Sequence, residues 1–467
     1  MGSRSASCGC CFDFASCPRL TQRTDFRRKV DLHLLPPLAF VYAFALIDRS
    51  NLGIARLVGM DEDLGITIGD RFSILSMLFF IPYTLFQIPS NLLIRHVGPR
   101  LWISTCVLGW GVAQLSMGFA SAWGHVAVCR VFLGVFEAGY FPAMTYVITT
   151  WYKRNEIQRR LGAFYLTSLL AAGFGSILGY GINGLDGKGG LAGWRWIFIL
   201  EGATTIFLGL VTCVVVPVFP DQNRFLEPEE TKYILQRVDE DRGDATPDKM
   251  TAAVFREHIT DPLLWIYGLM YMCATMAFSA VGYFTTLLLN GMGFNVTESL
   301  LLSAPPFAFT AISMYFFSWI SDITKRRAVF IGAQATLSTV GLFITMFGQV
   351  PAVRYLGIYL TTAGSAGCVP AILAYSANNV VSQTKRSVST GLIISFGGSG
   401  GIFATMVFRQ QDYPNYRPGM WAAAGCQLLM LCLLCLTTFI LRRRNLRCQQ
   451  GLLRKPLEGQ PGFFYTL

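Results

Sequence analysis

Twelve times along this chain an apolar run of roughly twenty residues is closed off by a charged or Pro/Gly-rich break, and that spacing leaves few folds open. The runs lie near 34–58, 72–94, 101–120, 125–150, 161–183 and 194–217, then 262–289, 299–320, 328–349, 355–379, 388–408 and 419–441. A helix rises about 1.5 Å per residue, so about twenty apolar residues cross about 30 Å of hydrocarbon. Charge is scarce to match: 14% of the 467 residues are charged and 53% are hydrophobic, against about 25% charged in an ordinary soluble protein. A water-facing surface for several soluble domains cannot be built from so few charges. Disorder, a disulfide scaffold and a nucleic-acid module fit equally poorly. The expected fold is an all-α membrane protein whose twelve transmembrane helices form two six-helix halves. Its parts are a tail over 1–30, a first half over 31–217, a linker over 218–261, a second half over 262–441 and a tail over 442–467.

The linker carries "EPEETKYILQRVDED". With Pro228 in its first turn and Ile234, Leu235 and Val238 on one face, it reads as a short amphipathic helix at the membrane surface. The net charge of +11 would suggest nucleic acid in a soluble chain, but its distribution gives a topology instead. Of the 38 Lys and Arg residues, 29 fall in the two tails, the linker and the loops on the same side, and seven fall in the opposite loops. By the positive-inside rule both termini and the linker are cytosolic, and the plasma membrane is the expected location. The arginines 442–444 read as a stop signal. The thirteen cysteines are mostly scattered through apolar runs, where a reduced thiol behaves as a small hydrophobe. Cys8, Cys10, Cys11 and Cys17 cluster without a zinc-knuckle spacing, so a plain reduced tail is favoured over palmitoylation. No signal-peptide core precedes the first span.

Four charges fall where a bilayer tolerates them least. The purely apolar part of the first run, "LLPPLAFVYAFALI", is too short to cross, so its helix must continue through "DRSNLGIARLV" and carry Asp48 and Arg49 into the membrane. In the fourth run, "CRVFLGVFEAGYFP" places Arg130 and Glu137 about two turns apart on one face with Gly134 between them. An ionised side chain at mid-membrane costs about 2.5–3.5 kcal/mol or more and is normally paired and turned to a cavity. Asp48, Arg49, Arg130 and Glu137 form two opposite pairs, more than the pinning of two helices needs. They are read as charge-handling groups of a cavity in the first half, with Arg130 expected to pack against Asp48. Glu201, near the outer end of the sixth run, reads as a packing or gating residue. The second half has no charge inside its spans and offers Tyr271, Asn378, Asn379 and the glycine run "FGGSGG" from Phe396, the last read as helix packing.

Two loops point to a family. "NLLIRHVGPR" and "SWISDITKRR" occupy the same place in each half and resemble the Gly-x-x-x-Asp-Arg-x-Gly-Arg motif of the major facilitator superfamily. The first copy has Asn91 for Gly and Arg95 for Asp; the second keeps Asp322. Further stretches, "RKVDLHLLP", "LIDRSNLGIAR", "FFIPYTLFQIPSNLL", "RVFLGVFEAGYFPAMTYVITTWYKR", "GWRWIFILEG" and "LAYSANNVVSQTKRSV", are similar to the anion:cation symporter branch, and within it to the fungal allantoate and nicotinate permease type. The resemblance runs from Arg28 to Arg444. It implies proton-coupled import of a small organic anion, a carboxylate or vitamin, with Arg49 gripping the anion and Asp48, Arg130 and Glu137 in proton coupling. It also implies Asp322 and Arg326 at a gate with Glu201, and Tyr83, Gln87, Asn378 and Asn379 as further substrate-facing residues. Gln87 stands where fungal relatives often carry Glu.

An exporter working by proton antiport is the nearest rival, but the fifth run, "AAGFGSILGYG", is glycine-rich without the proline such antiporters usually show. A non-transporting nutrient sensor could keep the same fold. An enzyme is not expected: there is no HExxH, the four histidines are scattered, and "GLDGKGG" lacks the Ser or Thr of a phosphate-binding loop. No cofactor, metal or nucleic-acid partner is expected, and the chain reads as a monomer in the bilayer. Asn295 heads a sequon, Asn295-Val296-Thr297, in an external loop close to the membrane.

Overall fold

The computed structural model of the protein describes residues 20–152, 154–216, 226–242, 256, 258–452, 456–459 and 462–467. Among these residues the chain is helical, with no strand. The first half contains α1 (Leu20–Ala55), α2 (Arg71–Val97), α3 (Pro99–Met117), α4 (Trp123–Glu137), α5 (Tyr140–Trp151), α6 (Arg154–Asn183) and α7 (Gly193–Val215). The linker holds α8 (Pro228–Arg242). The second half contains α9 (Pro262–Gly291), α10 (Val296–Thr324), α11 (Arg327–Phe347), α12 (Pro351–Asn379), α13 (Gln383–Val407) and α14 (Arg417–Gln449). Ten stretches of the described chain are long and apolar enough to cross a membrane, α4 and the start of α5 counting as one. The 27-residue α2 and the 19-residue α3 complete the twelve.

The first span runs on past its apolar part, as the shortness of that part requires. α1 continues through Asp48 and Arg49 to Ala55 and then gives way to a wider turn over Arg56–Met60, where Gly59 takes φ 106°. The fourth span is not one helix. α4 stops at Glu137 and α5 restarts at Tyr140, with the Ala138 amide donating to the Gly134 carbonyl and the Gly139 amide to that of Phe136. Pro142 explains the interruption, because it has no N–H to donate to the carbonyl of Ala138.

The halves meet along α2 and α13, α6 and α10, and α1 and α9. Further contacts, between α2 and α9, lie toward the side away from the linker. The Phe72 ring meets Phe284 edge-on, with centroids 5.7 Å apart, and Phe80 meets Tyr283 at 5.8 Å. A Cβ on Gly53 would stand 2.6 Å from the Tyr283 carbonyl oxygen, and one on Gly173 would stand 3.1 Å from that of Ala304. The glycine run of α13 is packing of the same kind: Gly398 abuts Thr84 of α2, Gly401 abuts Phe80, and Gly397 lies against the Tyr271 ring.

The linker side is tied by ion pairs. Lys29 reaches Glu230 of α8 at 3.2 Å, Arg160 reaches Asp31 at 2.8 Å, and Lys385 bridges Asp261 at 2.7 Å and Glu458 at 3.0 Å. Burial works to lower the affinity of the Lys385 amine for its proton, but hydrogen bonds to Asp261 and Glu458 outweigh it and hold the group above the usual lysine range. On α8 Ile234 is buried while Leu235 is exposed, so the apolar face is narrower than the sequence suggests. The N-terminal cysteines lie outside the described residues.

Of the two loop motifs, the side chains of Asn91 and Arg95 lie outside the described set. Arg100, at the end of the first copy, donates to the carbonyls of Val216 and Val214 at 2.8 Å each and so caps α7. In the second copy Asp322 pairs at 3.0 Å with Arg327, one residue beyond the expected Arg326, which is exposed. That bridge spans the α10–α11 turn within one half. Asn295 caps α10, its side-chain oxygen accepting from the Glu298 amide while Glu298 accepts from the Asn295 amide.

Within the second half α11 and α12 approach most closely through small residues. A Cβ on Gly364 would lie 2.5 Å from the Ser338 amide nitrogen and against the Gln334 carbonyl, and one on Gly341 would lie 2.5 Å from the Thr361 amide nitrogen. Backbone cannot yield there as a flexible side chain would. Gly364→Val is expected to cost about 1–3 kcal/mol by overpacking, read as a lowered melting temperature of the purified protein in detergent. An unchanged melting temperature would show that the two helices are not locked at this point.

Candidate substrate and proton site

The four membrane charges converge, and the packing of the first half shows how. Gly134 lies between Arg130 and Glu137 on α4, and a Cβ there would run into the Phe79 carbonyl oxygen and stand 2.8 Å from Pro82 Cγ. With no side chain in the way, α2 comes close enough for its aromatic residues to reach α1. Arg49 Nε donates to Glu137 Oε1 at 2.6 Å, with the Arg49 side chain 20% exposed and Glu137 2% exposed. The Arg49 guanidinium lies over the Tyr83 ring at 4.6 Å and within 5.3 Å of the Phe79 centroid. A cation on an aromatic face gains about 0.5–2 kcal/mol as it is desolvated.

Asp48 is held differently. Trp110 Nε1 donates to its Oδ2 at 3.1 Å and Thr205 Oγ1 donates to the same oxygen at 3.4 Å. Trp110 is itself braced by Tyr140, whose ring meets it edge-on at 5.5 Å and whose hydroxyl donates to the Leu38 carbonyl at 2.6 Å. The expected pairing of Asp48 with Arg130 is not made as a hydrogen bond. Arg130 is fully buried, and none of its three guanidinium nitrogens has a hydrogen-bond partner among the described residues. The fields of Tyr283, Glu137, Asp48 and Cys129 act on it.

Glu201 lies eight residues into α7, about 12 Å along its axis, and is 1% exposed. That depth, against α1, differs from the outer-end gating position read from the sequence. Asn51 Nδ2 donates to its Oε2, and Thr205, one turn on from Glu201, donates to Asp48, so the two carboxyl groups are neighbours between α1 and α7. Glu201 therefore belongs with the charged cluster, apart from Asp322 and Arg326.

Tyrosines from both halves lie within the field of the Arg49–Glu137 bridge, Tyr83 in direct contact with it. Tyr42 of α1, Tyr83 of α2 and Tyr283 of α9 act on the Arg49 charge, and Tyr165 of α6 and Tyr271 of α9 feel it in turn. Gln87 is buried one turn beyond Tyr83, its Nε2 without a partner among the described residues. Asn378 and Asn379 stand apart, at the linker-side end of α12. Asn379 Oδ1 accepts from the Thr466 amide at 2.8 Å, and its Nδ2 donates to the Thr466 carbonyl at 3.2 Å and to the Tyr267 hydroxyl at 3.4 Å. Asn445 clasps Tyr465 in the same two-bond manner at 2.9 Å. Asn379 thus anchors the segment 462–467 rather than joining the cluster.

Trp110, Thr205, Asn51, Tyr42, Tyr165 and Tyr283 were not singled out by sequence. Asn51 alone carried a signal, one turn beyond Asp48 on the same face. A discontinuous span beside buried charges is an arrangement by which transporters place binding groups at mid-membrane.

The comparisons agree with this architecture. Residues 38–405 match the Major Facilitator Superfamily. The MFS-type transporter cnsO of Penicillium expansum is 30% identical over 91% of this chain and 85% of its own length. The major facilitator-type transporter hxnP of Emericella nidulans is 29% identical over 86% of this chain and 82% of its own. In fold, the chain resembles the crystal structure of a bacterial homologue of the human lysosomal transporter Spinster in an inward-facing, occupied conformation. That likeness has a TM-score of 0.68 at 16% identity and covers 88% of this chain and 97% of the other. The chain belongs to the Major Facilitator Superfamily and is a membrane transporter of that type.

Proposed function

We propose that this transporter is a proton-coupled symporter that imports a small organic anion, a carboxylate or vitamin-like acid, in the manner of the allantoate and nicotinate permease branch. The observation that carries this reading is the Arg49–Glu137 bridge, 2.6 Å long, with Glu137 sealed and Arg49 partly exposed. Arg presents a planar fork that suits a carboxylate and stays charged when desolvated. Glu137 occupies that fork while ionised. Its protonation removes the competing charge and frees Arg49 for the carboxylate of the substrate, so proton and anion load together. Tyr83 supports the guanidinium from below, Gln87 offers a free amide donor nearby, and Arg130 adds positive potential. Asp322 and its neighbours at the α10–α11 turn serve the opening and closing of the halves.

Whole-cell uptake of a radiolabelled panel containing nicotinate, allantoate and pantothenate, measured at two external pH values, tests this reading. Uptake of one of them is expected to rise at the more acid pH. Glu137→Gln is expected to abolish accumulation while leaving downhill exchange measurable, and Arg49→Lys is expected to weaken apparent affinity by about 1.5–3 kcal/mol at unchanged expression, the scale of a charged hydrogen bond. Full accumulation by Glu137→Gln would remove it from the coupling role.

We also propose that both tails and the linker face the cytosol of a cell whose plasma membrane holds the protein. The charge asymmetry of 29 against seven Lys and Arg residues supports it. Lys188 lies exposed in the α6–α7 loop and Glu229 exposed on α8. A membrane-impermeant thiol reagent applied to intact cells is expected to label Lys188→Cys and to miss Glu229→Cys. The reverse pattern would invert the topology.

A further inference from the structure

Three acids and two guanidinium groups cluster in the first half, all of them buried except the partly exposed Arg49: Asp48, Glu137 and Glu201 against Arg49 and Arg130. Arg49 and Glu137 neutralise each other across their bridge. Two carboxyl groups, Asp48 at 0% exposure and Glu201 at 1%, are left with the single charge of Arg130, which hydrogen-bonds to neither. Asn51, one turn beyond Asp48 on α1, donates to Glu201, and Thr205, one turn beyond Glu201 on α7, donates to Asp48, so the two carboxyl groups are neighbours across the helix pair. Neighbouring carboxylates away from water cannot both stay ionised, since like charges repel strongly there and each also loses its hydration. Carboxyl pairs of this kind settle the conflict by sharing one proton.

The hydrogen bonds leave room for that proton. One oxygen of each carboxyl is committed, Asp48 Oδ2 to Trp110 and Thr205 and Glu201 Oε2 to Asn51. The other oxygen of each, Asp48 Oδ1 and Glu201 Oε1, is buried without a donor among the described residues. A buried acceptor left unmet costs about 1–3 kcal/mol, and a carboxylic O–H shared between the two groups meets the need of both. It also makes the core neutral.

We propose that Asp48 and Glu201 form a proton-sharing carboxyl pair, a proton site separate from the Arg49–Glu137 bridge. Glu201 is then a proton-holding group within the transport core, as well as a link from α7 to α1. The groups facing the pair are Trp110 of α3, Arg130 and Glu137 of α4, Asn51 of α1 and Thr205 of α7. Arg130, the only cation among them, balances the single negative charge that the pair retains. An anion entering the field of Arg130 would add negative charge, which the pair can offset by taking a second proton from the aqueous side. This last step rests on the proton-coupled reading above; the shared proton does not.

Infrared spectroscopy of the purified full-length protein in lipid nanodiscs separates the two. A protonated carboxyl absorbs apart from a carboxylate, so the wild-type protein at neutral pH is expected to show a buried carboxylic C=O band that shifts in heavy water. Because one proton serves two groups, Glu201→Gln and Asp48→Asn should each abolish the band. An isolated buried acid would lose the band in only one of the two variants. Absence of the band in the wild-type protein, or its survival in either amide variant, overturns the proposal. The amides supply the N–H that the proton had supplied, and should one variant not fold, the wild-type spectrum and the other variant still decide. A band with this pattern in a protein that moves no protons with its anion would leave the pair standing and remove the symport reading.

Discussion

The cost of holding charge away from water governs the rest of this structure. A lone ionised side chain at mid-membrane is expensive, and this chain clusters three acids, Asp48, Glu137 and Glu201, with Arg49 and Arg130 in one half. Each therefore needs a partner of opposite charge, a hydrogen-bond donor or a proton. Arg49 and Glu137 have each other; Asp48 has the indole of Trp110 and the hydroxyl of Thr205; Glu201 has Asn51. Arg130 is the exception, fully buried with no hydrogen-bonded partner among the described residues. Such a group is tolerated only where the surrounding charges balance it, which ties its state to the protonation of the acids beside it.

Close helix packing makes that economy workable. Gly134 lets α2 reach α4, so the Tyr83 and Phe79 rings cover the Arg49 guanidinium. The interruption between α4 and α5 leaves Glu137 at a helix end and turns Tyr140 toward both Trp110 and Leu38. The second half contributes tyrosines in place of charge, and its glycine run brings α13 against α2. Aromatic side chains from one half and charge from the other meet where the two halves pack together.

The sequence made part of this legible. An apolar stretch too short to cross a bilayer required the first helix to carry Asp48 and Arg49 inward, and the seven-residue spacing of Arg130 and Glu137 placed both on one face about Gly134. These are local facts, set by helix geometry. What the sequence could not show was which helices touch. Glu201 reads as lying near a span's outer end until α7 is seen packed against α1, and the partner of Asp48 is a tryptophan two helices away that no spacing reveals. Asn379 reads as a polar group within a span, yet it clasps a segment almost ninety residues on. The break after Glu137 had a signal in Pro142, but a proline near a helix start is ordinary, and only the lost bond to the Ala138 carbonyl gives it weight.

The most direct measurement is of the protons themselves. The purified protein, reconstituted into liposomes that enclose a pH-sensitive dye, is given an inward gradient of the carboxylate that cells take up best, with no pH difference imposed. Acidification of the lumen that begins with the anion, scales with its concentration and disappears in Glu137→Gln is the result expected if the buried acids couple the two fluxes. Entry of the anion with no accompanying proton, or with protons moving the opposite way, would contradict it.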